Sequence, residues 1–155
     1  MRTLSKKSSY ALRALVALAR RHGLGPVLIA ELAEKEQIPK KFLELVLLDL
    51  KNAGILQSKK GKGGGYALAR TPDAITLGEV IRLFDGPLAP LPCASERAFV
   101  KCEECDDVET CAIRTVMKEV RDATARILDG TTLATLLRRK DLLLRDRKNP
   151  WMYQI

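Results

Sequence analysis

The chain has 155 residues, of which 46% are hydrophobic, enough for one compact domain with an appendage and enough to bury a core. Aromatics are only 5%, so that core is built from Leu, Ala, Val and Ile, which favours packed helices over a β-sandwich. The net charge of +8 sits on a chain too apolar for disorder, and no run approaches the ~18 apolar residues of a membrane span. Arg13 interrupts the first apolar stretch, which argues against a cleaved signal peptide. The expectation is a soluble cytoplasmic protein that makes no membrane contact. The charge is unevenly placed: residues 1–70 hold 14 Lys and Arg against 5 Asp and Glu (+9), residues 71–137 hold 7 against 12 (−5), and residues 138–155 hold 6 against 2 (+4). A basic block inside a folded pattern is the footprint of a polyanion partner, unless it is merely a solvated lysine face.

Ser8 to about His22 reads as a helix with Leu12, Leu15, Val16 and Ala19 on one stripe and Gly23 as its stop. After the Gly25-Pro26 turn, Leu28 to Glu36 is a second helix with Leu28, Leu32 and Ala33 inward. Pro39 suits the first position of a third helix that runs to Ala53 and is capped by Gly54. Three short helices joined by tight turns have the size of a helix-turn-helix unit. Ile55–Ser58 and Tyr66–Ala69 flank a glycine-lysine loop and read as a β-hairpin, a wing. Thr76, with Glu79 three residues on, forms a capping box for a helix through Phe84.

Residues 86–107 show no periodicity, and so long a loop needs an organiser, either a bound cofactor or mobility. From about Val108 to Leu128 the residues Ile113, Val116, Met117, Val120, Ile127 and Leu128 recur at helical spacing. Such a helix serves dimerisation, or else packs back onto its own domain. Gly130 stops it, and Thr131 to Leu137 forms a further short helix before a basic tail ending in Trp151 and Tyr153. The fold expected is mainly α with a small β-hairpin wing. It divides into a winged helix-turn-helix over residues 1–84, a cysteine-rich sensor loop over 85–107, a dimerisation helix with its short follower over 108–137, and a basic tail over 138–155.

On the third helix Leu43, Val46, Leu47 and Leu50 share one face, while Lys41, Glu44, Leu45 and Leu48 lie opposite and Lys40 sits in the first turn. Lysines at a helix N-terminus reinforce its partial positive charge for phosphate. Glu44 can accept from cytosine N4, and Leu45 or Leu48 can meet a thymine methyl unless they pack against another element. The wing presents Lys59, Lys60 and Lys62 beside Gly63 and Gly64, whose missing side chains let backbone approach a phosphate or the minor groove. No Gly-x-x-x-x-Gly-Lys-Ser/Thr pattern is present, so a nucleotide P-loop is excluded. With Lys6 and Lys7 at the opening of the first helix, these are the candidate contacts to double-stranded DNA.

Cys93, Cys102, Cys105 and Cys111 fall within nineteen residues. In a cytoplasmic chain such a cluster points to metal or redox chemistry: an iron–sulfur cluster of the 2Fe-2S or 4Fe-4S type, a zinc ion, or a thiol/disulfide switch. Only one Cys-x-x-Cys pair is present, where zinc knuckles usually bring two. Glu103, Glu104, Asp106, Asp107 and Glu109 are expected to raise the thiol pKa values, which disfavours bare thiolates. No general base, nucleotide loop or substrate-cleft signature accompanies the cysteines, which argues against an enzyme. His22, the single histidine, lies at a helix end and is expected to be a cap or surface residue.

Arg2, Ser5-Lys6, Tyr10-Ala11, Lys51-Asn52-Ala53-Gly54-Ile55, Gly63-Gly64-Gly65-Tyr66 and Thr76-Leu77-Gly78-Glu79-Val80-Ile81 together resemble the Rrf2 family of winged-helix bacterial repressors. The family includes IscR-like and NsrR-like members, and the resemblance covers roughly residues 1–137. It implies a homodimer crossed through the long helix, each winged helix entering the major groove of one half-site, with Lys41 and Glu44 on the recognition helix and Lys60 on the wing. Cluster-binding members use three loop cysteines, which Cys93, Cys105 and Cys111 match, although the interval after the first is longer here. Their fourth ligand is a histidine three residues after the last cysteine or a residue of the partner's first helix. Those positions hold Arg114, and Ser8 with Ser9, in this chain. Cys102 is the extra thiol and is expected to fill the place. The resulting expectation is a repressor gated by an iron–sulfur cluster, the alternatives being a cluster-free disulfide switch and an iron–sulfur redox protein.

Overall fold

The computed structural model describes residues 4–103, 105 and 107–148. Arg2, Glu104, Asp106, Trp151 and Tyr153, singled out above, lie outside the described residues, as does the remainder of the tail from 149 on. The first helix, α1 (Lys6–Arg20), packs against nearly everything else: α2 (Ile29–Glu36), α3 (Lys40–Asn52), α4 (Leu77–Asp85), α6 (Leu133–Lys148) and the second strand of the wing. Ala11, Ala14 and Ala19 make this possible, because methyl groups let neighbouring helices approach closely while Leu15 and Leu18 fill the space between them. The core is completed by Leu32, by Leu43, Val46, Leu47 and Leu50 of α3, by Ile55, Ile75 and Val80, and by Leu133. The buried face of α3 is therefore the one the helical wheel selects, whereas Leu12 and Val16 of α1 are only partly covered.

Several boundaries differ from those read from the sequence, each for a local reason. Helix α1 starts at Lys6 rather than Ser8 because the Ser5 hydroxyl accepts from the Ser8 N–H at 3.1 Å. Leu28 is exposed, not inward: it is the residue before α2, and Val27 takes the buried position instead. Pro39 caps α3 from outside rather than opening it. The strands are β1 (Leu56–Lys59) and β2 (Gly65–Leu68), antiparallel with Leu56 opposite Leu68. The Ile55 N–H is already spent on the Leu50 carbonyl at the end of α3, which displaces the start of β1 by one residue.

The hairpin is tied to the chain between α1 and α2, since Val27 and Tyr66 exchange two backbone hydrogen bonds of 2.9 Å. Gly65 sits at φ +141°, and a Cβ there would overlap the Val27 carbonyl. Helix α4 opens with the Thr76 hydroxyl accepting from the Glu79 N–H at 3.2 Å. The other half of the capping box is absent, because the Glu79 carboxylate pairs with Arg70 at 2.6 Å.

The long helix α5 (Ala112–Asp129) begins four residues later than its apolar repeat suggests. Asp107 accounts for the delay: its carboxylate accepts from the Glu109 N–H at 3.0 Å and the Thr110 hydroxyl at 2.7 Å, folding 107–110 into a side-chain-held turn that competes with helix. Helix α6 is much longer than the expected seven-residue piece, so the segment from 138 to 148 is helical rather than a loose tail. The sequence from 133 to 148 contains neither Gly nor Pro and consists largely of strong helix formers. The matching openings of α4 and α6 are paired as well as similarly capped: the Leu77 N–H bonds the Thr131 carbonyl and the Leu133 N–H the Ile75 carbonyl. No helix among the described residues is long and apolar enough to cross a membrane.

Because Gly65 combines a left-handed backbone with a close carbonyl, Gly65→Ala is expected to lower stability by about 2–4 kcal/mol. Urea unfolding measures it, and a loss below about 0.5 kcal/mol would show that the Val27–Tyr66 tie is not needed.

Candidate nucleic-acid interface and cysteine cluster

Two helix N-termini, those of α1 and α3, open with lysine pairs. Helices α2 and α4 carry Glu31 and Glu79 in their first turns, the ordinary complement to a helix dipole. Helices α1 and α3 carry no acid there, and instead open with Lys6-Lys7 and Lys40-Lys41. All four lysines are exposed. At α3 the Pro39 carbonyl accepts from the Phe42 and Leu43 N–H groups, which leaves those of Lys40 and Lys41 pointing out of the open end of the helix. Lysine against the positive end of a helix costs stability, so the arrangement makes physical sense where an external anion completes it.

The outer face of α3 is open. Glu44 is exposed, and Leu45 and Leu48 are about half exposed, so neither leucine packs against another element of this chain as the competing reading required. Lys7 reaches Asp49 of α3 at 3.5 Å, which fixes the start of α1 beside the last turns of that helix. On the wing, Lys59, Lys60 and Lys62 are exposed. Gly63 is exposed at φ +73°, but Gly64 is buried and its N–H donates to the Gly61 carbonyl at 2.9 Å. A Cβ on Gly64 would overlap the Lys59 carbonyl, so this glycine shapes the turn that presents the lysines.

The cysteines stand on the opposite side of α4 in the chain order, on the loop that leads into α5. Cys93 is buried in a 3-10 turn (Pro92–Ala94), Cys102 and Cys105 are half-buried, and Cys111 is the residue that caps α5. The four thiols act on one another. Hydrogen bonding to the Cys93 thiol pushes the Cys102 pKa up, aided by burial and by the charges of the other three cysteines. Burial raises Cys105, with a hydrogen bond to the Cys111 thiol adding to it. The direction is the one expected from the sequence, with burial and the neighbouring thiols as its causes among the described residues. The Asp107 carboxylate is spent on Glu109 and Thr110 and is itself lowered by those bonds.

Four soft thiols from one loop are a donor set suited to an iron–sulfur cluster. Among the described residues no three His, Cys, Asp or Glu side chains are arranged to hold a metal ion. A cluster distributes its ligands over several irons and bridging sulfides, and so asks for a wider setting than one ion does. His22 is exposed at the end of α1. Arg114, at the position where some cluster-binding proteins have a histidine, donates from Nε to the Cys93 carbonyl at 2.9 Å and from Nη1 to the Val108 carbonyl at 3.4 Å. It thereby bridges both ends of the loop, and its guanidinium lies 5.7 Å from the Phe99 ring centre. Arg121, two turns further along α5 and only 9% exposed, donates to the Ala94 carbonyl at 2.7 Å and pairs with Glu96 at 3.1 Å and with Asp122. Sequence reading missed this role for both arginines; the available signal was their seven-residue spacing, which puts them on one face of the helix.

Helix α5 is thus inverted relative to an ordinary surface helix. Arg114 and Arg121 face its own chain, with Arg126 exposed, while Ile113, Val116, Val120 and Ile127 are 44–66% exposed along one side. It meets its own chain only at α4 and the Cys93 turn among its main contacts. The far end is held by a two-pronged pair, Arg82 Nη1 to Asp129 Oδ1 at 2.6 Å and Nη2 to Oδ2 at 2.7 Å. Gly78 makes room for it, since a Cβ there would overlap the Asp129 carboxylate.

Tri-helical unit, hairpin wing and lysine-tipped helices define a winged-helix DNA-binding transcriptional regulator, not an enzyme. The chain belongs to the Rrf2 family, described as iron-dependent transcriptional regulators, whose model matches residues 4–139. It is 41% identical over 137 residues to an Rrf2-like HTH-type transcriptional regulator of Rhodobacter capsulatus, covering 86% of this chain and 91% of that one. It is 30% identical over 147 residues to the regulator IscR of Erwinia tasmaniensis, covering 94% and 86%. The solved structure of CymR, described as the global cysteine regulator of Bacillus subtilis, superposes with a TM-score of 0.73 at 35% identity, covering 88% of this chain and 96% of that one.

The Arg82–Asp129 pair gives a pH test. Hydrogen bonding to Arg82 lowers the Asp129 carboxyl below its ordinary value of 3.8, so the folded state prefers it ionised. That stabilisation is present above the unfolded value and is lost as pH falls through the lowered folded value. Asp129→Asn is expected to cost no more than about 1 kcal/mol at neutral pH, because the carboxylate is partly exposed, with the difference vanishing in acid. Melting temperatures measured from pH 7 to 2 check this, and a difference that grows in acid would contradict it.

Proposed function

We propose that this Rrf2-family regulator acts as a homodimer joined through α5, and that an iron–sulfur cluster on Cys93, Cys102, Cys105 and Cys111 sets its hold on double-stranded DNA. The observation that carries the reading is the placement of four mutually interacting thiols at the start of a helix whose apolar side faces away from its own chain. An apolar stripe of that length asks for a second copy to cover it. The resemblance to cluster-binding members and the family's description as iron-dependent support the cofactor.

On the DNA side, Lys6, Lys7, Lys40 and Lys41 meet phosphates at two helix N-termini, and Glu44 faces base edges in the major groove. Lys59, Lys60 and Lys62 meet the flanking backbone, with Gly63 and Gly64 shaping the wing. A bound cluster supplies a crosslink within the loop that oxidant, nitric oxide or iron shortage removes. The chain's own part is to make loop order and helix position interdependent, so that the population of DNA-competent dimers shifts with that crosslink. A cluster-free switch is the second reading, favoured by the influence of Cys93 on Cys102 and of Cys111 on Cys105, all four being free thiols.

Anaerobic purification with absorption spectroscopy and iron analysis separates the two. A coloured, iron-bearing protein whose duplex affinity changes on cluster loss is expected; a colourless protein that responds to peroxide through cysteine pairing would overturn the cluster. Cys102→Ala is expected to lose most of the bound iron, and full iron retention would place the fourth ligand elsewhere. Lys60→Ala is expected to weaken binding to any duplex and to reduce the salt dependence by about one phosphate contact. An unchanged salt slope would remove the wing from the interface.

A further inference from the structure

The two inward arginines of α5 have a role that neither ligand binding nor dimerisation requires. They bond the carbonyls of consecutive residues, Arg114 that of Cys93 and Arg121 that of Ala94, from positions seven residues apart on one helix face. The turn they hold is buried at Cys93, Ala94 and Ser95, and Cys93 is the one fully buried thiol of the four. Arg121 is fixed in turn by Glu96 on the loop and Asp122 on the helix, and Arg114 by the Val108 carbonyl. A guanidinium held by two or more acceptors in its plane has little freedom to swivel, unlike a lysine or an apolar contact.

We infer that Arg114 and Arg121 are positioning residues that form a latch between the Cys93 turn and α5, so that movement of the turn is delivered to the helix at two points instead of being absorbed in the loop. This rests on the reading of the cysteines as the sensor but not on what they hold. Without the latch the Cys93 turn would lose its directional bonds to α5, and a change around Cys93 could relax locally. With it, displacing Cys93 tilts or shifts α5 and whatever its apolar face is packed against.

The test uses full-length protein carrying Arg121→Gln or Arg114→Gln, reconstituted anaerobically with iron and sulfide. Each is compared with the unsubstituted protein for iron content and for affinity toward a duplex selected from a random library by the unsubstituted protein. The readout is the ratio of duplex affinities between loaded and stripped forms. With iron content retained, the ratio is expected to fall at least threefold toward one in each variant, an effect that a residue merely stabilising the fold would not produce. A ratio equal to that of the unsubstituted protein in both variants overturns the latch.

If a variant fails to fold, hydrogen exchange on the unsubstituted protein decides. Protection is expected to change between states in both 92–97 and 113–122, and a change confined to the loop overturns the proposal. If the unsubstituted protein takes up no iron, the cluster reading fails. The same ratio and exchange comparison are then made between thiol-reduced and diamide-oxidised protein, with the same outcomes deciding for or against the latch.

Discussion

A helix that turns arginines toward its own chain and isoleucines and valines away from it is held by two different kinds of force, and the architecture follows from that division. The inward bonds of α5 are directional and few, namely guanidinium to carbonyl at Cys93, Ala94 and Val108 and guanidinium to carboxylate at Arg82–Asp129. Burial of its apolar stripe is non-directional and depends on something outside the chain. The first kind fixes where the helix sits relative to the cysteine turn, and the second is satisfied only by association. In the proposed dimer the arginines that hold the cysteine turn and the apolar stripe therefore lie on different faces of one helix and do not compete for side chains.

The reading head obeys the converse logic. Its interior is conventional, with α1 lined by alanines at the centre and the leucines of α3 packed against it. Its instability is concentrated at the rim, where lysine pairs open α1 and α3 without an acid in either first turn. Each such placement works against the helix dipole by some tenths of a kcal/mol. In the proposed complex phosphates offset these charges, of which Lys7 already has Asp49 beside it in the free chain. A surface selected for stability alone would put Glu where Lys6 and Lys40 stand, as it does at Glu31 and Glu79.

Legibility in the sequence tracked how local the determining physics was. The faces of α3, the two strands flanking a glycine-lysine loop and the stop at Gly130 were all readable, because periodicity and turn chemistry act within a few residues. Side-chain competition with the backbone was less so. Ser5 extends α1 backwards with one hydroxyl, and Asp107 shortens α5 with one carboxylate, although neither residue is unusual in composition. The length of α6 was missed because Leu142, Leu143 and Leu144 are consecutive and exposed, so no amphipathic stripe announces the helix beyond Leu137. The cysteines were found as a group, and their mutual influence, between thiols up to twelve positions apart, was not foreseen, nor was the turn that occupies the Asp107 carboxylate.

Ties to several other elements converge on α4. Its start is bridged to α6 through the Thr76–Thr132 pair, its Arg82 grips the end of α5, and its last residue, Asp85, accepts from the N–H of Ser5 at 3.1 Å, the cap of the helix that carries Lys6 and Lys7. Gly86 follows at once and opens the cysteine loop with φ +78°. One nine-residue helix thus touches the sensor loop, the inverted helix and the first lysine-tipped N-terminus. Charge-assisted bonds of this type keep their geometry under displacement better than apolar contacts, which can slide. Arg82 and Asp85 lie within one turn of each other, so the tie to α5 and the tie to the cap of α1 share the last turn of α4.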